Sequence, residues 1–179
     1  KSIGAAKGTG TTITFKPDTQ IFSVLEFDWQ LILDHLRQQA YLTKGVRIDL
    51  ADERGKEPLK YGFYFSGGIA SYVRHLNHTK NPKHETIFYI HREQGGIQTE
   101  VAFQYTDDVK ETVYSFANNI YTTEGGMHLV GFRNALTRRL NAYARSKNFL
   151  KEKDENLSGE DVREGLTAIV SVKVKEPQF

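Results

Sequence analysis

The run Leu166-Thr167-Ala168-Ile169-Val170-Ser171-Val172-Lys173-Val174 constrains the fold more than any other stretch of this chain. It is rich in β-branched residues and almost continuously apolar, so it reads as a buried strand rather than one with a solvated face. A strand of that kind needs other elements packed over it. The remaining sequence has to supply them.

Upstream, the residues order themselves into three stretches. Thr11-Thr12-Ile13-Thr14-Phe15 alternates like a strand and is ended by Lys16-Pro17-Asp18, a turn sequence. Ser23 and Glu26 have capping-box spacing, which predicts a helix start there. That helix carries Leu25, Trp29, Ile32, Leu33, Leu36 and Ala40 on one stripe and stops at Gly45. A strand-rich middle follows: Val46 to Leu50, Tyr61 to Phe65, Thr86 to His91, Ile97 to Tyr105 and Thr112 to Ile120. A short helix opened by Gly67-Gly68 carries Ile69, Tyr72, Val73 and Leu76, and the linkers Glu93 to Gly96 and Thr106 to Lys110 suit hairpins. The third stretch is mainly helical. Gly125-Gly126 precedes a long helix with Leu129, Phe132, Leu136, Leu140 and Tyr143 on one face, then a charged, mobile-looking segment from Lys151 to Asn156. Ser158 with Asp161 marks another helix start, ended by Gly165. The order predicts an α+β fold with one mixed sheet.

Composition narrows the function classes. Of 179 residues, 39% are hydrophobic and 12% aromatic, which is enough for a packed core and excludes a disordered tail. The absence of cysteine excludes a disulfide scaffold, a thiolate nucleophile and a Cys-ligated metal site. No apolar run approaches the ~20 residues that span a membrane. Lys1 to Phe15 lacks the apolar core of a signal peptide, so a cytoplasmic protein with no membrane partner is expected. The chain opens inside a structured element and its only methionine is Met127, as in a piece of something longer. A net charge of +2 permits nucleic-acid contact without requiring it. Any such role rests on how the charges are arranged.

Three groups of residues could carry chemistry. Gly8-Thr9-Gly10-Thr11 could line a phosphate pocket through its backbone amides, or could be a plain lead into the strand. His75, His78 and His84 match no metal-ligand spacing, so no metal site is expected. On the long helix, Asn134, Arg138, Asn141 and Arg145 recur at steps of four, three and four, with Arg133 beside them. That polar stripe is either a solvated helix face or a surface for a polyanion such as DNA, where guanidinium groups meet phosphates.

Glu124-Gly125-Gly126-Met127-His128-Leu129-Val130-Gly131-Phe132 resembles the EGGxHxxGF signature of the ATPase subunits of bacterial type IIA topoisomerases, the DNA gyrase B family and its relatives. The resemblance continues through Ala135-Leu136-Thr137-Arg138, Asn141-Ala142-Tyr143, Leu157 to Leu166, Ala168 to Val174 and Pro177-Gln178-Phe179. Upstream, Gly10 to Asp18 and Gly67 to Val73 fit as well, so it covers essentially the whole chain.

This resemblance implies a specific organisation. Residues 1–18 would be the last strand region of a Bergerat-type ATPase domain. Residues 19–179 would be a transducer domain with a left-handed βαβ crossover similar to that of a ribosomal-protein domain. The activity implied is ATP-driven DNA strand passage and supercoiling. ATP and Mg²⁺ would serve as cofactors, and the partners would be DNA, the DNA-cleaving gyrase A protein in a heterotetramer, and a second copy through ATP-dependent dimerisation. The Mg²⁺-binding Asn, the general-base Glu and the QTK loop of such an ATPase have no counterpart between Lys1 and Phe179, so no catalytic residue is expected here. Thr11 matches a position that helps hold the adenine through water. Arg133 matches one of the arginines lining a cavity between paired transducers, and Arg138 and Arg145 join it as DNA-facing candidates. The corresponding ATPase of topoisomerase IV shares most of these motifs, and a free-standing α+β nucleic-acid-binding domain is the alternative of a different class.

Overall fold

The computed structural model describes residues 4–5, 7–13 and 17–178. Its elements run α1 (Trp29–Leu42), β1 (Arg47–Asp52), β2 (Leu59–Tyr64), α2 (Ile69–Leu76), β3 (Phe88–Gln94), β4 (Ile97–Tyr105), β5 (Thr112–Ala117), β6 (Ile120–Tyr121), α3 (Met127–Ser146), α4 (Gly159–Arg163) and β7 (Leu166–Lys173). The fold is α+β.

β7 is the middle strand of a five-stranded sheet ordered β3-β4-β7-β5-β6. It pairs antiparallel with β4 (Val101↔Val170) and parallel with β5 (Ser115↔Val170), so the sheet is mixed. Leu166 to Val172 are all buried, and alternate side chains enter different cores. Ile169 packs with Ala102, Phe116, Tyr41, Tyr72 and Val73 beneath α1 and α2. Val170 packs with Val101 and Leu129 beneath α3, with Phe103, Val113 and Phe132 against them. Each such side chain contributes about 1.5–3 kcal/mol on burial, which accounts for the lack of a polar face along β7. β1 and β2 form a separate antiparallel pair under α1, closed by Leu33, Ala40 and Phe63. Tyr41 joins the two cores by stacking on Phe65 (3.7 Å) and Tyr72 (4.7 Å).

Four expectations are corrected. The Thr106 to Lys110 linker closes no hairpin, because β7 lies between β4 and β5. α1 starts at Trp29, not near Ser23: Asp28 is the cap, accepting from the Leu31 amide at 3.0 Å. Helices persist where a face is buried, and Val24, Leu25 and Phe27 are exposed. The run Thr112 to Ile120 is not one strand, because Asn118 (φ 48°) and Asn119 (φ 66°) form a tight turn that folds β6 back on β5. Residues 11–13 of the expected first strand have no strand conformation, and the rest of that strand lies outside the described residues. A strand needs a ladder partner, and none of the described ladders includes it. The turn read at Pro17-Asp18 is present: Asp18 accepts from Gln20 N through its carboxylate, and from Ile21 N and Phe22 N through its carbonyl.

Among the described residues no helix is long and apolar enough to cross a membrane.

Candidate nucleic-acid interface

α3 carries the polar stripe, and its position is set at both ends. Glu124-Gly125-Gly126 delivers the chain to the helix with Gly125 at φ 80° and Gly126 at φ 140°, backbone shapes that side chains disfavour. His128, on the first turn, has its pKa held below the ordinary imidazole value by burial. The motif also forms one wall of a cavity of about 970 Å³, shared with Ile120, Tyr121, Val174 and Pro177. At the far end of α3, Asn148 (φ 59°) turns the chain and the Phe149 and Leu150 amides bond to Ala144 O.

The stripe divides. Asn134, Arg138 and the adjacent Arg139 are exposed, with no ion pair for either arginine among those found in the described structure. Asn141 is buried and serves as a backbone splint. Its Nδ2 donates to Thr137 O (3.0 Å) and Leu157 O (2.9 Å), while its Oδ1 accepts from Leu157 N (2.7 Å). Arg145 reaches the same returning segment, donating to Lys151 O, Asp154 O and Asn156 Oδ1 at 2.7–3.0 Å. The segment 151–156 is thus tied down by one guanidinium, contrary to the mobile character read from its charges. Tyr143, expected on the apolar face, is exposed and pairs with Phe149 instead.

Arg133 is half-buried and forked onto Glu111: Nε–Oε1 is 3.0 Å and Nη2–Oε2 is 2.7 Å. Arg163, on α4, approaches the same carboxylate with Nε at 3.5 Å from Oε2. Glu111, Asn156 and Leu157 are partners that sequence spacing missed. They lie 11 to 22 residues from the arginines and asparagine they hold, and no local period signals them.

The other candidates are not drawn into this face. Thr11 is exposed and outside any strand. His84 is held between two backbone groups, its Nδ1 donating to Thr86 O (2.6 Å) and its Nε2 accepting from Tyr105 N (3.1 Å). The His75 and His78 rings stack at 5.4 Å, and His78 Nδ1 donates to His75 O. Among the described residues no three His, Cys, Asp or Glu side chains gather to hold a cation.

Known proteins share this geometry and sequence. Residues 68–179 match the DNA gyrase B family model. Over 178 residues the chain is 51% identical to the DNA gyrase B protein of Halalkalibacterium halodurans, covering 99% of this chain and 28% of that protein. It is 48% identical to the DNA gyrase B protein of Bacillus mycoides, over 99% of this chain and 44% of that one. Among solved structures, the 43K ATPase domain of Thermus thermophilus gyrase B in complex with an aminocoumarin is 38% identical, with a TM-score of 0.81. That likeness covers 92% of this chain and 44% of the Thermus chain. The topoisomerase IV ATP-binding domain of Francisella tularensis is similar at 26% identity and TM-score 0.72, over 91% of this chain and 43% of that one. The sheet built around β7, the α3 that starts at Gly125-Gly126 and the sequence match from Gly68 onward lead to one assignment: this chain belongs to the DNA gyrase B family.

Proposed function

We propose that this chain is the transducer part of the ATPase subunit of a bacterial DNA gyrase, relaying ATP binding and hydrolysis to DNA strand passage and negative supercoiling. The observation that carries the reading is α3: a family-matched helix with Arg133 half-buried against Glu111 and Arg138 and Arg139 exposed elsewhere around it. Guanidinium groups so placed suit phosphate contact. Arg145 belongs to the same surface as the residue that fixes its 151–156 rim. The higher identity to the gyrase relatives favours gyrase over topoisomerase IV. Residues 1–18 would belong to the nucleotide domain and 19–179 to the transducer, with Thr11 contributing to the adenine pocket. ATP and Mg²⁺ would be held by the whole ATPase protein, which works in the cytoplasm with gyrase A, DNA and a second copy of itself.

In the full-length protein, Arg133→Gln is expected to weaken DNA stimulation of ATPase activity while the circular-dichroism spectrum stays the same. Full stimulation by DNA in that variant overturns the DNA-facing role. The 179-residue chain alone is expected to release no phosphate from ATP, since catalysis needs a base, a metal and a cation on the γ-phosphate together. Measurable turnover would overturn that assignment.

A further inference from the structure

We propose that Glu111 is a built-in counter-ion that occupies the Arg133 guanidinium until a DNA phosphate displaces it. The inference rests on the DNA-facing reading above and adds the residue that would tune it. Two parallel hydrogen bonds at 3.0 and 2.7 Å make Arg133–Glu111 a fork-to-fork pair, the geometry a phosphate would otherwise claim. An arginine in that state presents little net charge to solvent. Its release is made easier by Arg163, whose Nε already stands 3.5 Å from Glu111 Oε2. When Arg133 swings away, the carboxylate keeps a cation, so no bare charge is left half-buried. A pair whose separation would strand an ion is far harder to open.

The surroundings give the exchange a direction. On the α4 side, Glu111 and Arg163 line a recess of about 500 Å³ with Glu160, Asp161 and Glu164. Those carboxylates repel a polyanion. Arg138 and Arg139, five and six residues further along α3 and turned away from Arg133 around the helix, have no carboxylate partners among the ion pairs found in the described residues. A duplex that reaches Arg133 must compete with Glu111 for its guanidinium. Binding at that position therefore costs the rupture of one ion pair.

The test is equilibrium binding of a linear DNA duplex to the full-length protein across a salt series. Glu111→Gln should tighten binding at every salt concentration, by up to about fivefold, the range expected for losing one competing surface pair. Its salt slope should match that of the parent. Arg133→Gln should flatten the slope by about 0.9, one phosphate's worth, and in that background Glu111→Gln should add nothing. Glu111→Asp keeps the charge but shortens the reach, and should show the same tightening in smaller measure; it serves if the Gln variant folds poorly. Parent-like affinity of both Glu111 variants alongside a flattened slope for Arg133→Gln overturns the counter-ion and leaves the DNA contact standing. Tightening that persists without Arg133 also overturns it, because the gain would then be general charge removal. An unchanged slope for Arg133→Gln overturns the DNA contact itself, and the counter-ion with it.

Discussion

Asn118 and Val174 hold each other by two reciprocal hydrogen bonds, Nδ2 donating to Val174 O at 2.9 Å and Oδ1 accepting from Val174 N at 2.8 Å. The side chain acts as one more rung beyond the last β5–β7 pair, Ala117↔Val172. It does so from the left-handed turn that also starts β6. The neighbouring Asn119 ties that turn to α1, donating to Thr43 Oγ1 and accepting from Gln39 Nε2 through its carbonyl. One two-residue turn thus fixes the ends of β7 and α1.

Replacing Asn118 tests that arrangement. Asn118→Ala loses both bonds and places a Cβ residue with no local polar compensation at φ 48°, for a cost of about 2 kcal/mol. Asn118→Gly loses the bonds but not the backbone preference and should cost less. Urea denaturation of the two variants measures the difference; equal losses would mean that the backbone conformation contributes nothing.

Gly165 marks the passage from α4 into β7 at φ 70°, where a Cβ would stand 2.5 Å from Thr106 O and 2.8 Å from Asp108 O. The Gly165 carbonyl in turn accepts from Thr106 N at 2.9 Å, so the two segments cannot easily part. Gly165→Ala is expected to destabilise the fold by roughly 3 kcal/mol or more, the sum of backbone strain and overpacking. A midpoint in urea equal to that of the parent would contradict the closeness of this approach.

Arg145 predicts a local rather than a global effect. Arg145→Gln frees Lys151 O, Asp154 O and Asn156 Oδ1 from one guanidinium, while the Asn141–Leu157 bonds remain. Limited trypsin digestion should then cut at Lys151 or Lys153 several-fold faster, with little change in melting temperature. Arg145→Lys should not restore protection, because a single ammonium cannot reach three acceptors in the same fork. Unchanged cleavage would mean that the segment is held by other contacts.

Asp52 gives a pH prediction. Hydrogen bonds from the Arg54 side chain and then its backbone amide lower its pKa to about 2, against an ordinary 3.8. Because the folded value is depressed, the contribution of this pair to stability is complete above pH 3.8 and is lost as pH falls through about 2. Arg54 also donates to Phe27 O at 2.9 Å, so the segment leading into α1 should loosen over the same window. An NMR titration of the Asp52 carboxylate should show the low value, moving up toward the ordinary one in Arg54→Gln. A titration at the ordinary value in the parent would contradict the pairing.

Much of this architecture is legible in local sequence, where the cause lies within a few residues of the effect. The Ser158–Asp161 capping box, the β7 run, the Ile97 to Tyr105 strand and the start of α3 after Gly125-Gly126 are of this kind. The errors share a different cause. Ser23 and Asp28 both carry cap signals, and burial beyond Trp29 decided between them. On α3, a spacing of four, three and four put Asn141 and Arg145 on one face with Arg138, but it could not say which part of that face another segment would cover. The return of residues 151–157 turned two of those side chains into structural ties and left Arg138 exposed. The pairing of Arg133 with Glu111 was equally invisible, because a salt bridge between a helix and a strand start depends on where the chain comes back. Side-chain period and capping chemistry are properties of the sequence by itself; which polar groups end up satisfied, and which stay free to meet a partner, only the tertiary structure decided.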